Sequence, residues 1–188
     1  MSHPTKLTLG DSSLLVIDVQ EKLLPRIHAA ATMVKNIAFL IDAAKLLDVP
    51  VTATEQYPKG LGPTVPELAG RLSQRPDKVA FSCCAVPGLV DNLQRAARTK
   101  VVLAGIETHV CVMHTALDLL ARDFRVYIPV DAVGSRYTVD HEQALRRLEK
   151  ANAIITTSET TVFEWLGASD HPRFKQLSVL VQERMKTL

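Results

Sequence analysis

Six short runs of apolar and β-branched residues punctuate the chain: SLLVID (13–18), VPVTAT (49–54), KVAF (78–81), VVLAG (101–105), RVYIPV (125–130) and NAIITT (152–157). They are nearly continuous rather than alternating, the pattern of parallel strands covered on both faces. Between them lie stretches of helical period. The segment 27–48 places Ile27, Ala30, Val34, Ile37, Ile41 and Ala44 on one stripe, and 111–122 does the same with Met113, Ala116, Leu117 and Leu120. Pro87 can open a helix to about Ala97, because a proline in the first turn gives up only a donor that has no intrahelical partner. Asp140 and Gln143 frame a helix start before 141–150, Gly167 can close a helix over 158–166, and a last helix is predicted over 172–185. Alternating strands and helices with right-handed crossovers predict a three-layer α/β/α Rossmann-like sandwich. Its six-stranded parallel sheet would run in the order 3-2-1-4-5-6.

Length and charge narrow the picture further. With 188 residues and no Pro-, Gly- or Ser-rich linker, one domain over residues 1–188 is expected. Hydrophobic residues are 47% and charged residues 22%, the balance of a globular protein. The net charge is +2 and the basic residues are scattered, so neither a nucleic-acid nor a membrane partner is expected. MSHPTKLTLGDSS lacks the apolar core of a secretory signal, which makes a cytoplasmic location the default and leaves a mitochondrial one open. Three cysteines, two of them adjacent at Cys83 and Cys84, form neither a disulfide framework nor a zinc spacing. DVQEKLLP follows the first strand where a dinucleotide-binding protein would carry GxGxxG. The loop EQYPKGLGPTVPEL (55–68), with three prolines and two glycines, reads as an ordered turn system at the carboxyl end of the second strand.

Reactive side chains at strand carboxyl ends are the candidates for chemistry. Cys111 follows the fourth strand through GIETHV and opens a helix, where the macrodipole favours thiolate and unpaired N–H groups can hold an oxyanion. A lone cysteine is more often a small core residue, but Glu107, Thr108, His109 and His114 around it argue for a polar setting. A thiol nucleophile needs a base. His114 lies one turn along the same helix and points beside Cys111, while the direction of His109 in the turn is open. Asp18 closes the first strand, which neighbours the fourth at the topological switch point, and is the better placed base. Lys78 opens the third strand, an awkward place for a charge, unless it holds Asp18 ionised. Cys83 and Cys84 read as structural.

At these residues the chain resembles the isochorismatase-like cysteine hydrolases, from LLVIDVQ to the final helix. TEQYPKGLG followed by GIETHVC resembles the isochorismatase domain-containing protein 2 branch of that family. The resemblance implies a catalytic triad of Asp18, Lys78 and Cys111. It also implies a cis peptide between Ile106 and Glu107, with the N–H groups of Glu107 and Cys111 as oxyanion hole. Metal-binding relatives carry Asp and His ligands after the second strand, where this chain has Glu55, Gln56 and Tyr57, so neither metal nor cofactor is expected. The implied reaction is hydrolysis of a small amide or related C–N bond through a thioester. Gln56, Tyr57 and His109 would face the small-molecule substrate, and a homo-oligomer is expected. The alternative is a non-catalytic binding protein that retains the triad as a structural network.

Overall fold

The computed structural model describes residues 3–187. Among them seven strands form one parallel sheet: β1 (Ser12–Ile17), β2 (Val51–Gln56), β3 (Asp77–Lys78), β4 (Lys100–Ile106), β5 (Arg125–Pro129), β6 (Val133–Gly134) and β7 (Ile154–Thr156). The order is β3-β2-β1-β4-β5-β7, with β6 paired to β4. The topology therefore follows the expected order, and the additional strand arises because 125–134 runs along one edge of β4 in two pieces. β5 pairs with Lys100–Val102, a 3₁₀ turn over Val130–Ala132 interrupts the ladder, and β6 resumes it at Gly105 and Ile106.

Among the described residues eight α-helices flank the sheet: α1 (Ala30–Leu46), α2 (Pro58–Leu61), α3 (Pro66–Ala69), α4 (Leu89–Arg95), α5 (Met113–Leu120), α6 (Thr138–Lys150), α7 (Ser158–Leu166) and α8 (Phe174–Thr187). Alternation along β1 sorts the core into two layers. Leu14 and Val16 join the cluster under α1, α7 and α8, while Leu15 and Ile17 join the one under α4, α5 and α6. Each such fully buried aliphatic side chain stabilises the fold by about 1.5–3 kcal/mol. No described helix is long and apolar enough to cross a membrane.

Four local readings change, the first being that α4 starts at Leu89 behind Gly88 at φ 78° and is not opened by Pro87. KVAF is not a strand: pairing stops at Lys78, and the chain turns so that Val79 and Phe81 are 83% and 54% exposed. The cause is the buried ammonium of Lys78, which draws the carbonyls of Ala80 and Phe81 around itself at 3.2 and 3.0 Å. Helix α1 starts at Ala30 rather than 27, because Leu24–Arg26 form a 3₁₀ turn and Ala29 has φ 53°. Helix α6 starts at Thr138, so Asp140 lies in its first turn instead of capping it.

Gly105 is the tightest point of the sheet. Its φ is +123°, and a Cβ there would lie 2.1 Å from the carbonyl oxygen of Ile17. Only glycine lets β4 approach β1 this closely just before the chain turns into the site.

Candidate active site

Asp18 follows directly on β1, and its φ of 53° tips its side chain off the strand line and into the protein, where it is fully buried. Lys78 Nζ donates to Asp18 Oδ2 at 2.7 Å and to Gln56 Oε1 at 2.7 Å. Thr54, near the end of β2, donates its hydroxyl to Asp18 Oδ1 at 2.8 Å. Since a hydroxyl has one proton, Thr54 then receives the thiol of Cys83, 3.4 Å away. The sheet thus places a carboxylate, an ammonium and two polar supports together at its carboxyl edge, beside the switch between β1 and β4.

Cys111 enters this arrangement from β4. The Ile106–Glu107 peptide bond is cis. The chain then winds through a π-helical turn, Thr108–Val112, before α5 takes over. Its wide hydrogen bonds run from Val112 N to Glu107 O at 3.2 Å and from Met113 N to Thr108 O. Such turns occur mostly as short insertions at helix ends and functional positions. The thiol of Cys111 is buried within the electrostatic reach of the Asp18 carboxylate and the Lys78 ammonium.

The electrostatics differ from the thiolate expected at a helix start. Burial, and next the negative charge of Asp18, push the Cys111 thiol well above its ordinary range, with Lys78 pulling the other way. Desolvation outweighs the macrodipole here because the thiol faces a carboxylate rather than water. At neutral pH Cys111 is a thiol within reach of an anion. Cys83 is pushed up to about 11, again chiefly by burial and then by Asp18.

The turn that carries Cys111 is fastened by three consecutive side chains. Glu107 Oε2 accepts from Arg136 N at 3.0 Å, Thr108 Oγ1 lies 3.0 Å from His141 Nδ1, and His109 Nδ1 lies 3.0 Å from Ser135 Oγ. All three partners come from the segment that follows β6. His109 also has Nε2 3.8 Å from Asp140 Oδ2. Burial holds His141 below the usual histidine range, with His28 adding to the fall and Glu142 opposing it.

Asp18, Lys78 and Cys111 are therefore brought together. Gln56 is engaged at both ends, accepting from Lys78 and donating to Val79 O at 2.7 Å, so it supports the lysine. Tyr57 stands 55% exposed at the rim, where Phe81 also lies against His114 at 5.9 Å between ring centroids. Sequence reasoning missed Thr54 and Thr115. The Thr115 hydroxyl receives Cys83 N–H at 2.9 Å and donates to Cys111 O at 2.7 Å, tying the two cysteine backbones together. Cys83, taken as structural, packs inside the same network. Glu55 is engaged by Thr64 and Arg75. Among the described residues no three His, Cys, Asp or Glu side chains are grouped to hold a metal ion.

A parallel α/β sheet with a thiol, a carboxylate and an ammonium buried at its switch point defines a Rossmann-like protein of the hydrolase type. Residues 12–160 match the isochorismatase domain, and the chain belongs to that family. It is 42% identical over 177 residues to isochorismatase domain-containing protein 2A of Mus musculus, covering 93% of this chain and 85% of the mouse protein. The structure of the MAR1 ribonuclease from Caenorhabditis elegans is similar at 43% identity and a TM-score of 0.89, covering 95% of this chain and 93% of that one. The YcaC gene product of Escherichia coli, an octameric hydrolase of unknown specificity, shares the fold at 21% identity and a TM-score of 0.83, with both chains fully covered.

Proposed function

We propose that the chain hydrolyses a small amide or related C–N bond, with Cys111 as nucleophile, Asp18 as general base and acid, and Lys78 holding Asp18 ionised. The observation that carries this reading is the buried Lys78–Asp18 pair at 2.7 Å, whose carboxylate charge acts on the buried thiol of Cys111. As Cys111 Sγ attacks the carbonyl carbon, its proton passes to Asp18, and the N–H groups of Glu107 and Cys111 receive the oxyanion. Collapse breaks the C–N bond, and the amine leaves with the proton from Asp18. Water then gives a proton to Asp18 and attacks the thioester, and the acid departs as the thiol is restored. The high resting position of the thiol suits this order, because the proton is released to Asp18 as the forming C–S bond draws on the sulfur electron pair. A small-molecule substrate and a homo-oligomeric assembly complete the reading, the latter supported by the octameric state of YcaC.

A second reading, a binding protein that keeps the triad as a network, is favoured by how fully Lys78 is satisfied, with four acceptors for its three protons. The ribonuclease name carried by the worm protein suggests another chemistry. Here the buried ammonium is committed to Asp18 and carbonyls, which leaves little for a phosphate. The test is a panel of small primary amides, carbamoylated amines and a labelled single-stranded RNA, with ammonia, acid and fragment release as readouts. Turnover of an amide that is lost in Cys111→Ser, with a hydroxylamine-sensitive acyl group on Cys111, supports the hydrolase. RNA cleavage that survives Cys111→Ser, or amide binding without turnover, overturns it.

A further inference from the structure

We propose that a hollow at the opposite end of the sheet from Cys111 binds a small aliphatic carboxylate. The two faces of the sheet are covered unequally. The crossover from β2 to β3 runs on the α1 side, where α3 packs against α1, and the other face relies on α4, only seven residues long. Thr52, in the middle of β2, is consequently exposed although its ladder partner Leu15 is buried. A strand of a parallel sheet is normally covered on both faces. The gap is a hollow of about 690 Å³, inside the range of roughly 300–1,000 Å³ typical of small-molecule sites.

Its chemistry is specific. Leu15, Val86, Leu89 and Leu93 supply an apolar wall. Ser13, also lining it, is only 3% exposed, and its Oγ has no hydrogen-bond partner among the described residues. The same holds for Nε of Arg98, another lining residue. Arg98 Nη1 is spent on the carbonyls of Leu9 and Ser12 at 2.6 and 3.3 Å, and among the described residues no carboxylate pairs with the guanidinium. Arg75 also lines the hollow but is neutralised by Glu55 at 3.3 Å, and no Asp or Glu lines it.

Ser13 Oγ and Arg98 Nε are both sealed from solvent, so the signal of the hollow is its charge: one guanidinium without a carboxylate partner, a second neutralised by Glu55, and no acidic side chain in the lining. One uncompensated guanidinium matches a monoanion, and the leucine wall matches a short alkyl chain. The hollow and the triad share β2, with Thr52 facing the one and Thr54 donating to Asp18 in the other. The inference does not depend on the proposed reaction.

The test is calorimetric titration of the full chain with sodium octanoate, using 1-octanol as the uncharged counterpart. Saturable binding of one octanoate per chain is expected, roughly tenfold or more tighter than octanol. Arg98→Gln removes the charge and Leu93→Trp fills the hollow, and each should weaken octanoate roughly tenfold or more while the alkylation rate of Cys111 stays at its wild-type value. Absence of saturable binding up to about 5 mM, equal affinity for octanol, or full binding by Leu93→Trp overturns the proposal. So does a change of subunit count in Leu93→Trp, measured by sedimentation, since a second copy would then close the hollow.

Discussion

Lys78 Nζ sits 2.7 Å from Asp18 Oδ2, with the two side chains 2% and 0% exposed. Removing one member of such a pair strands the other charge out of water, at a cost of about 3–5 kcal/mol. Lys78→Met should fall in that range, read from the urea midpoint. Asp18→Asn should cost less, because Gln56 and the carbonyls of Ala80 and Phe81 still hold the ammonium. The double variant should recover part of the loss, since neither charge then remains. Additive losses in this cycle would mean that the two groups are not coupled.

The position of Asp18 against Cys111 makes a less intuitive prediction about reactivity. Thiolate is the alkylating species, and burial with Asp18 holds Cys111 largely protonated at neutral pH. Iodoacetamide should label Cys111 slowly at pH 7 and about tenfold faster for each unit of pH above it. Asp18→Asn removes the negative charge and leaves Lys78 to favour the anion, so labelling at pH 8 should rise about tenfold or more while hydrolysis is lost. Peptide mapping over pH 6–10 reads both effects. Slower labelling in Asp18→Asn would show that the carboxylate does not face the sulfur.

Stability should fall on the alkaline side for the same reason. Cys83 rises from 9.0 to about 11 on folding, and Cys111 moves in the same direction. A group whose folded position is raised holds its proton in the native state after the unfolded chain has released it. Its contribution is complete below about pH 9, the ordinary cysteine position, and is lost as pH climbs towards 11. For Cys83 the total is on the order of 2–3 kcal/mol. Urea midpoints measured from pH 7 to 10.5 should decline, and Cys83→Ala should flatten part of that decline. An unchanged slope in Cys83→Ala would place its ionisation elsewhere.

Much of this was legible in the chain. Near-continuous runs such as SLLVID and VVLAG announce strands buried on both faces, and topology then fixes β1 beside β4, which brings Asp18 to Cys111. What was not legible depends on groups meeting across the fold. KVAF has the composition of a strand, yet the need of one buried ammonium for oxygen bends it away after Lys78. The thiolate expected from a helix start is overruled by burial and then by a carboxylate from another strand. Thr54 and Thr115 look like ordinary strand and helix residues until their single hydroxyl protons are traced. The short β6 is invisible as a two-residue run because it exists only as a continuation along the edge of β4.

Gly105 offers a test of the sheet itself. With a Cβ 2.1 Å from the Ile17 carbonyl oxygen at φ +123°, Gly105→Ala must separate β1 from β4 at the point where both deliver their site residues. The melting temperature should drop by roughly 10 °C or more, or the protein should fail to fold. A near-native melt would mean that the two strands can part there at little cost.

The three fastenings of the 107–109 turn predict how the site behaves in acid. Glu107, Thr108 and His109 each reach a different residue of 135–141, so the π-helical turn owes its position to a segment that carries none of the triad. His141 sits below the usual histidine range, so the unfolded chain takes up its proton before the native one does. Its contribution to stability is therefore complete above about pH 6.5 and declines as pH falls through its lowered position. Amide protection factors at residues 107–112 should fall below that pH more than those in β4. The double variant Ser135→Ala/His141→Phe should show fast exchange in the turn already at pH 7.5, while β1 and β4 keep their protection. If the turn stays protected in the double variant, the backbone alone holds Cys111 in place. If β4 loosens with it, the fastenings support the whole sheet rather than the turn.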